Sequence, residues 1–259
     1  MTGGSTYNVQ GGRTGTFVES AKTNGNVAIV AGDCNIIRDV VGGFVSGSGT
    51  AKDNQVHLVG KGASVTIADA QGNTGSYTGG TITTNLIAGG RILGSGDSIG
   101  NSIDIYGNGI VAHYLWAGTF QQLNFHIADS ASTDAMLTLT TGGLLDLTGF
   151  LVPTESQTPD LALTFDALDS LEWKPSSSVT LENAAEGIKM DEALLAKEYK
   201  IYQHGDPDKI AGTATLKLEQ GQGSAQSLKL VMNGDVPEPA TGTLSLLALA
   251  ALAARRRRK

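Results

Sequence analysis

Apolar and polar residues alternate in runs of about five along the first 150 positions, and glycines separate one run from the next. NVAIV (26–30), QVHLV (55–59), SVTIA (64–68), SIDIY (102–106) and LTLTT (137–141) each follow a period of two. That period predicts strands with one buried face. The runs also recur. Residues 40–63 align without gaps on residues 87–110, a shift of 47, with eight of 24 positions identical. The identities are Gly42/Gly89, Gly43/Gly90, Gly47/Gly94, Ser48/Ser95, Gly49/Gly96, Asn54/Asn101, Gly60/Gly107 and Gly62/Gly109. Val40/Ile87, Val45/Ile92, Val56/Ile103 and Leu58/Ile105 keep aliphatics opposite aliphatics. Strands alone with an internal repeat predict an all-β fold: a parallel β-solenoid (β-helix) over residues 1–150, each unit making about two coils. Val and Ile would stack inward, and Asn54 and Asn101 would pair in an amide ladder or sit in left-handed turns.

The texture changes at LVPTESQTPD (151–160), where Pro153 and Pro159 interrupt any ladder, so this segment reads as a linker. Over 161–235, LALTF, SVTLE, YKIYQ, TATLKLE and SLKLVM alternate like antiparallel strands. They predict a smaller β-rich domain, or a cap on the solenoid's open end. One short helix is expected at 188–199, because Ile188, Leu194, Leu195 and Tyr199 fall near one helical face. The style of residues 1–150, YTGGTITTNLIAGG (77–90) above all, resembles the passenger repeats of bacterial autotransporter-like adhesins. That resemblance implies a parallel β-helix and nothing about activity.

Charge sharpens the picture. The 18 cations and 25 acids give −7, but Arg255, Arg256, Arg257, Arg258 and Lys259 sit at the very end. The rest of the chain holds 13 cations against 25 acids, or −12. A body so acidic repels phosphate backbones, which excludes nucleic acid as the expected partner. A single cysteine, Cys34, rules out an internal disulfide and leaves the compartment open. MTGGSTYNVQGGRTG lacks a basic segment followed by an apolar one, so the native protein is expected to begin upstream with its signal.

The chain ends VPEPATGTLSLLALAALAARRRRK. Residues 240–254 carry no charge and as a helix would rise about 22 Å, short of the ~30 Å hydrocarbon layer. The cations behind them would stay cytoplasmic, placing the body outside the inner membrane. Pro237 and Pro239 keep the preceding peptide extended. VPEP, a Leu/Ala-rich stretch and an arginine cluster, in that order, resemble the PEP-CTERM sorting signal. The resemblance implies a Gram-negative exporter whose exosortase, a membrane-embedded protease, recognises and removes the tail. Pro237, Glu238 and Pro239 would then be the recognition element. Leu244, Leu246, Leu247, Leu249 and Leu252 would form a C-terminal hydrophobic helix and membrane stop, with Arg255 to Lys259 as the cytoplasmic charge.

Catalytic and metal-binding patterns are sparse. His57 lies between inward Val56 and Leu58 and is expected to face solvent, with Asp104 as its repeat counterpart. His113 and His126 are 13 apart with no cysteine or carboxylate at a ligand spacing. His204 stands apart from both. Cys34 aligns with Thr81 and reads as a buried or incidental thiol. Asp206 and Asp208, like Asp129 and Asp134, read as turn residues. No metal, cofactor or catalytic set is expected, and no nucleotide-binding glycine motif occurs. Tyr114 and Trp116 share a strand face and are candidate glycan contacts if exposed, and core or cap residues if buried; Trp173 invites the same reading. The sequence therefore points to a non-enzymatic, exported cell-surface or matrix protein, structural or adhesin-like, sorted by an exosortase through transient inner-membrane insertion. The alternative is a secreted carbohydrate-binding or carbohydrate-active β-helix, with extracellular polysaccharide or host glycans as partners.

Overall fold

In the computed structural model, described over residues 1–14, 21–141, 144–153 and 159–233, nearly all regular structure is β. The first strands are β1 (Thr2–Thr6), β2 (Val9–Thr14), β3 (Ala21–Asn24), β4 (Val27–Ile36), β5 (Asp39–Val45) and β6 (Gly49–Lys52). Next come β7 (Gln55–Val59), β8 (Ser64–Ala68), β9 (Thr74–Thr78), β10 (Ile82–Ile92), β11 (Gly96–Ile99) and β12 (Ser102–Tyr106). The middle continues with β13 (Ile110–Leu115), β14 (Gln122–Ile127), β15 (Leu137–Leu139), β16 (Leu145–Asp146) and β17 (Ala162–Ala167). The last are β18 (Ser178–Ala184), β19 (Ile188–Lys189), β20 (Glu198–Gln203), β21 (Asp206–Gln220) and β22 (Gln226–Met232).

The repeat appears directly in the strand register. β5 pairs with β10, β6 with β11 and β7 with β12, all parallel and all offset by 47 residues, as in Val40↔Ile87, Gly49↔Gly96 and Val56↔Ile103. The expected amide ladder is present. Asn26 Nδ2 donates to Asn54 Oδ1 at 2.8 Å, and Asn54 Nδ2 donates to Asn101 Oδ1 at 2.9 Å. Gln121 Oε1 continues the line by accepting the Asn101 backbone N–H. Two repeat glycines make room for it: a Cβ on Gly43 would collide with the Asn54 amide, and one on Gly89 with the Asn101 Cβ.

The architecture nevertheless differs from the expected open-ended parallel solenoid. It is a closed, mixed β-barrel. Around the ring run β4, β7, β12, β14, β17, β20, β21, β22, β18, β15, β13 and β10, and β10 returns to β4 through Ile82↔Cys34 and Thr83↔Asn35. Most of the ring is parallel, but β20–β21, β21–β22 and β22–β18 are antiparallel and turn one run of strands back towards the other. Closure pairs backbone groups that a solenoid's ends would leave open. The β-helix implied by the adhesin-passenger resemblance is overturned with it. One apolar cluster fills the interior, drawn from both runs: Leu58, Ile105, Phe125 and Leu163 from one, Ile82, Ile110, Leu137 and Leu181 from the other. Each such side chain, fully buried, contributes about 1.5–3 kcal/mol. Strands from either side of 151–160 pair directly, β14 with β17 and β15 with β18.

The short helix expected at 188–199 is also absent. Gly187, with φ +98°, leads into β19, a 3₁₀ turn covers Glu192–Leu194, and Ala196 at φ +59° breaks the backbone again before β20. Ile188, Leu194 and Tyr199 are buried as expected, but from three separate elements rather than one face. Tyr199 fixes the turn by donating its hydroxyl to Leu194 O at 2.9 Å. Among the described residues no helix is long and apolar enough to cross a membrane.

Candidate functional site

Four neighbouring parallel strands, β7, β12, β14 and β17, carry polar residues on the outward side of the wall whose inward side packs Leu58, Ile105, Phe125 and Phe165. In register, Asp104 lies beside His57 and Asn124, and Asn124 beside Thr164. One step on, Tyr106 lies beside His126, His126 beside Asp166, and Asp166 beside Tyr202. His204 joins them from the end of β20, where its backbone N–H donates to Ala167 O. Alternation of side chains along each strand places the whole set on one face.

His126 is the centre. Its Nδ1 faces Asp166 Oδ1 at 2.7 Å and its Nε2 faces Asp104 Oδ1 at 3.0 Å. Burial opposes a charged ring, but the two carboxylates prevail and raise its pKa to about 9, so both nitrogens donate. Burial alone would raise Asp104, yet the hydrogen bond and the charge of His126, with a further hydrogen bond from Asn124, hold it below the usual carboxylate range. Asp166 is likewise held low against its burial, by hydrogen bonds from His126 and His204. His204 Nδ1 lies 2.8 Å from Asp166 Oδ2. Behind this pair, Thr164 Oγ1 donates to Asn124 Oδ1 at 2.7 Å, and Asn124 Nδ2 donates to Asp104 Oδ1 at 2.9 Å.

Two aromatic contacts complete the site. The Tyr106 ring stacks on His126 with centroids 4.1 Å apart and planes 13° apart, and its edge meets His204. Burial, followed by the charges of Asp104 and Asp166, pushes the Tyr106 phenol upward, so it keeps its proton. That hydroxyl reaches His57 Nδ1 at 3.3 Å, while His57 Nε2 meets Gln55 Oε1 at 3.2 Å. Burial lowers His57, with Asp104 opposing, so the neutral ring accepts from the phenol and donates to Gln55. The outward orientation expected of His57 holds, but the ring is buried rather than solvated. A cleft of about 880 Å³ opens beside the cluster, lined by Asp166, Tyr202, Gln203 and Asp206 among others.

The nitrogens of His126 and His204 and a carboxylate oxygen of Asp166 all lie within 4.8 Å of one another. Residue spacing hid this set, because its members are 40 and 38 positions apart and only parallel register brings them together. The one visible signal was the alignment of His57 with Asp104 in the repeat. The other candidates stay apart. His113 is exposed and meets Thr141 Oγ1, while Cys34 is buried with Gly3 N–H donating to its Sγ. Asp206 and Asp129 accept turn hydrogen bonds from Asp208 N and Ala131 N. Trp173 is partly buried, its indole donating to Asn233 O. Tyr114 and Trp116 are 40% and 44% exposed. Among the described residues no ring contact joins these two; Arg91 lies over Trp116, and Tyr114 tilts against His113.

The sorting-signal residues, Pro237 to Pro239, the leucines and the terminal cations, lie outside the described residues. Their sequence decides the matter instead. Residues 235–259 match the PEP-CTERM protein-sorting motif. The motif marks an exported protein that is sorted by an exosortase, a membrane protein, with transient membrane anchoring before surface or extracellular release. No curated protein and no solved structure matches the chain.

Proposed function

We propose that the barrel is the cargo of this sorting route: a non-enzymatic structural or adhesin-like protein of the cell surface or extracellular matrix. The observation that carries the reading is the sorting motif at 235–259, joined to an all-β body with a filled apolar core. A closed barrel whose strands pair on both sides suits an environment without chaperones, since it leaves few edges for unwanted strand addition. The acidic surface keeps such bodies apart in solution through like-charge repulsion.

Recognition by the exosortase is assigned to Pro237, Glu238 and Pro239. The test is the distribution of the full chain in a Gram-negative host that possesses the exosortase. Wild-type protein is expected at the surface or in the medium, and Glu238→Ala is expected to stay in the inner-membrane fraction. Equal release of the two proteins would remove the sorting assignment.

A further inference from the structure

We propose that His126, Asp166 and His204 bind a borderline-soft transition-metal dication such as zinc, clamping the seam between β17 and β20. The donor set defines the metal class. Two imidazole nitrogens and one carboxylate suit zinc and its neighbours, whereas calcium and magnesium select oxygen ligands throughout. The donors already converge: His126 Nδ1 and His204 Nδ1 approach the two oxygens of Asp166 at 2.7 and 2.8 Å.

The support behind the donors is what a metal-ligating imidazole needs. His126 turns its other nitrogen to Asp104, which Asn124 and Thr164 hold in turn. Such a carboxylate behind the ring fixes its orientation and raises its basicity towards a metal. Stacking on Tyr106 fixes the ring plane. An entry path exists on the opposite side, where the His204 side chain is 35% exposed and Asp166 lines the cleft. Three protein donors beside an open cleft leave a fourth position for water. On binding, the metal replaces both protons that face Asp166. The one on His126 Nδ1 passes to solvent while its Nε2 proton remains on the Asp104 side, and the one on His204 Nδ1 leaves that nitrogen, so that His204 ligates as the Nε2–H tautomer.

The location explains what the ion would do. β14 and β17 are joined over six register pairs, but β17 and β20 over only two, Asp166↔Tyr202 and Ala167↔Gln203. Here the parallel wall gives way to the antiparallel return. The three ligands come from β14, β17 and the end of β20, so one ion would bridge the shortest join in that part of the ring.

The experiment titrates the full-length chain with Zn(II), and separately with Co(II), by calorimetry and thermal melting. One saturable equivalent is expected, with a melting temperature roughly 5–10 °C higher at about a hundredfold excess over Kd, reversed by EDTA. Asp104→Asn is expected to weaken binding by about 10–100-fold, and His204→Ala by at least as much. His113→Ala, at an exposed ring outside the cluster, should leave affinity unchanged. Co(II) on the wild-type chain gives a reading independent of any variant's folding, since only the His126 and His204 ring resonances should carry direct paramagnetic shifts. A folded wild-type chain without saturable binding would overturn the proposal. So would His204→Ala binding as tightly as wild type, or Co(II) shifts centred on His57 or His113.

Discussion

Glu182 is fully buried in β18, and neither of its carboxyl oxygens has a hydrogen-bond partner. Its register partners are Leu137 and Leu228, both core residues. An isolated carboxylate there would be costly, so burial pushes its pKa up from 4.5 to about 8 and the folded chain holds it neutral. The folded state therefore binds a proton that the unfolded state has lost between those two values. Its contribution is fully present below pH 4.5 and is lost as pH rises through about 8, at up to about 1.4 kcal/mol per pH unit. Glu182→Gln cannot ionise and should flatten this part of the profile, gaining on wild type between pH 4.5 and about 8 and keeping that gain above it. Urea melts of both proteins from pH 5 to 9 check it; parallel pH profiles would show that Glu182 is not held neutral. The slope remaining in the variant above pH 6.5 is assigned to His126, whose raised pKa works in the same direction.

Elements were legible in the sequence where the cause is local. Period-two runs mark β4, β7, β8, β12 and β15, and the 47-residue repeat marks which strands are copies. A unit of two coils would have left a coil between the copies, whereas the three copied strands pair directly. The paired glycines and asparagines of the repeat are one device, in which the backbone loses its Cβ so that a buried amide can lie across it. Asn101→Ala would remove the acceptor for both the backbone and side-chain N–H of Asn54, leaving buried donors unpaired. A loss of about 2–3 kcal/mol is expected in urea unfolding. A loss below about 0.5 kcal/mol, typical of a surface site, would mean the ladder is ornamental. The helical face expected at 188–199 rested on the spacings of seven and four from Ile188 to Leu195 to Tyr199. The buried residues are instead Ile188, Leu194 and Tyr199, whose spacings of six and five do not follow one helical face. The positive φ at Ala196 had no glycine to announce it.

At the scale of the whole molecule, sequence order concealed closure. The β4–β10 contact joins residues 48 apart through two register pairs, and the antiparallel return depends on β18, which lies between β22 and β15 in space but before β20 in sequence. A repeat reveals which strands stack but not where the stack ends. The same limit applies to the histidine–aspartate cluster, which no spacing rule could find because each strand supplies only one or two members. The tail was the most legible part, since its address is written in composition and order rather than in tertiary contacts. The central claim, that this barrel is exported and parted from its address, is tested most directly by the intact mass of the extracellular form. The account predicts a polypeptide lacking residues 240–259 when the exosortase is present. A mature extracellular chain that still carries Arg255 to Lys259 would contradict it.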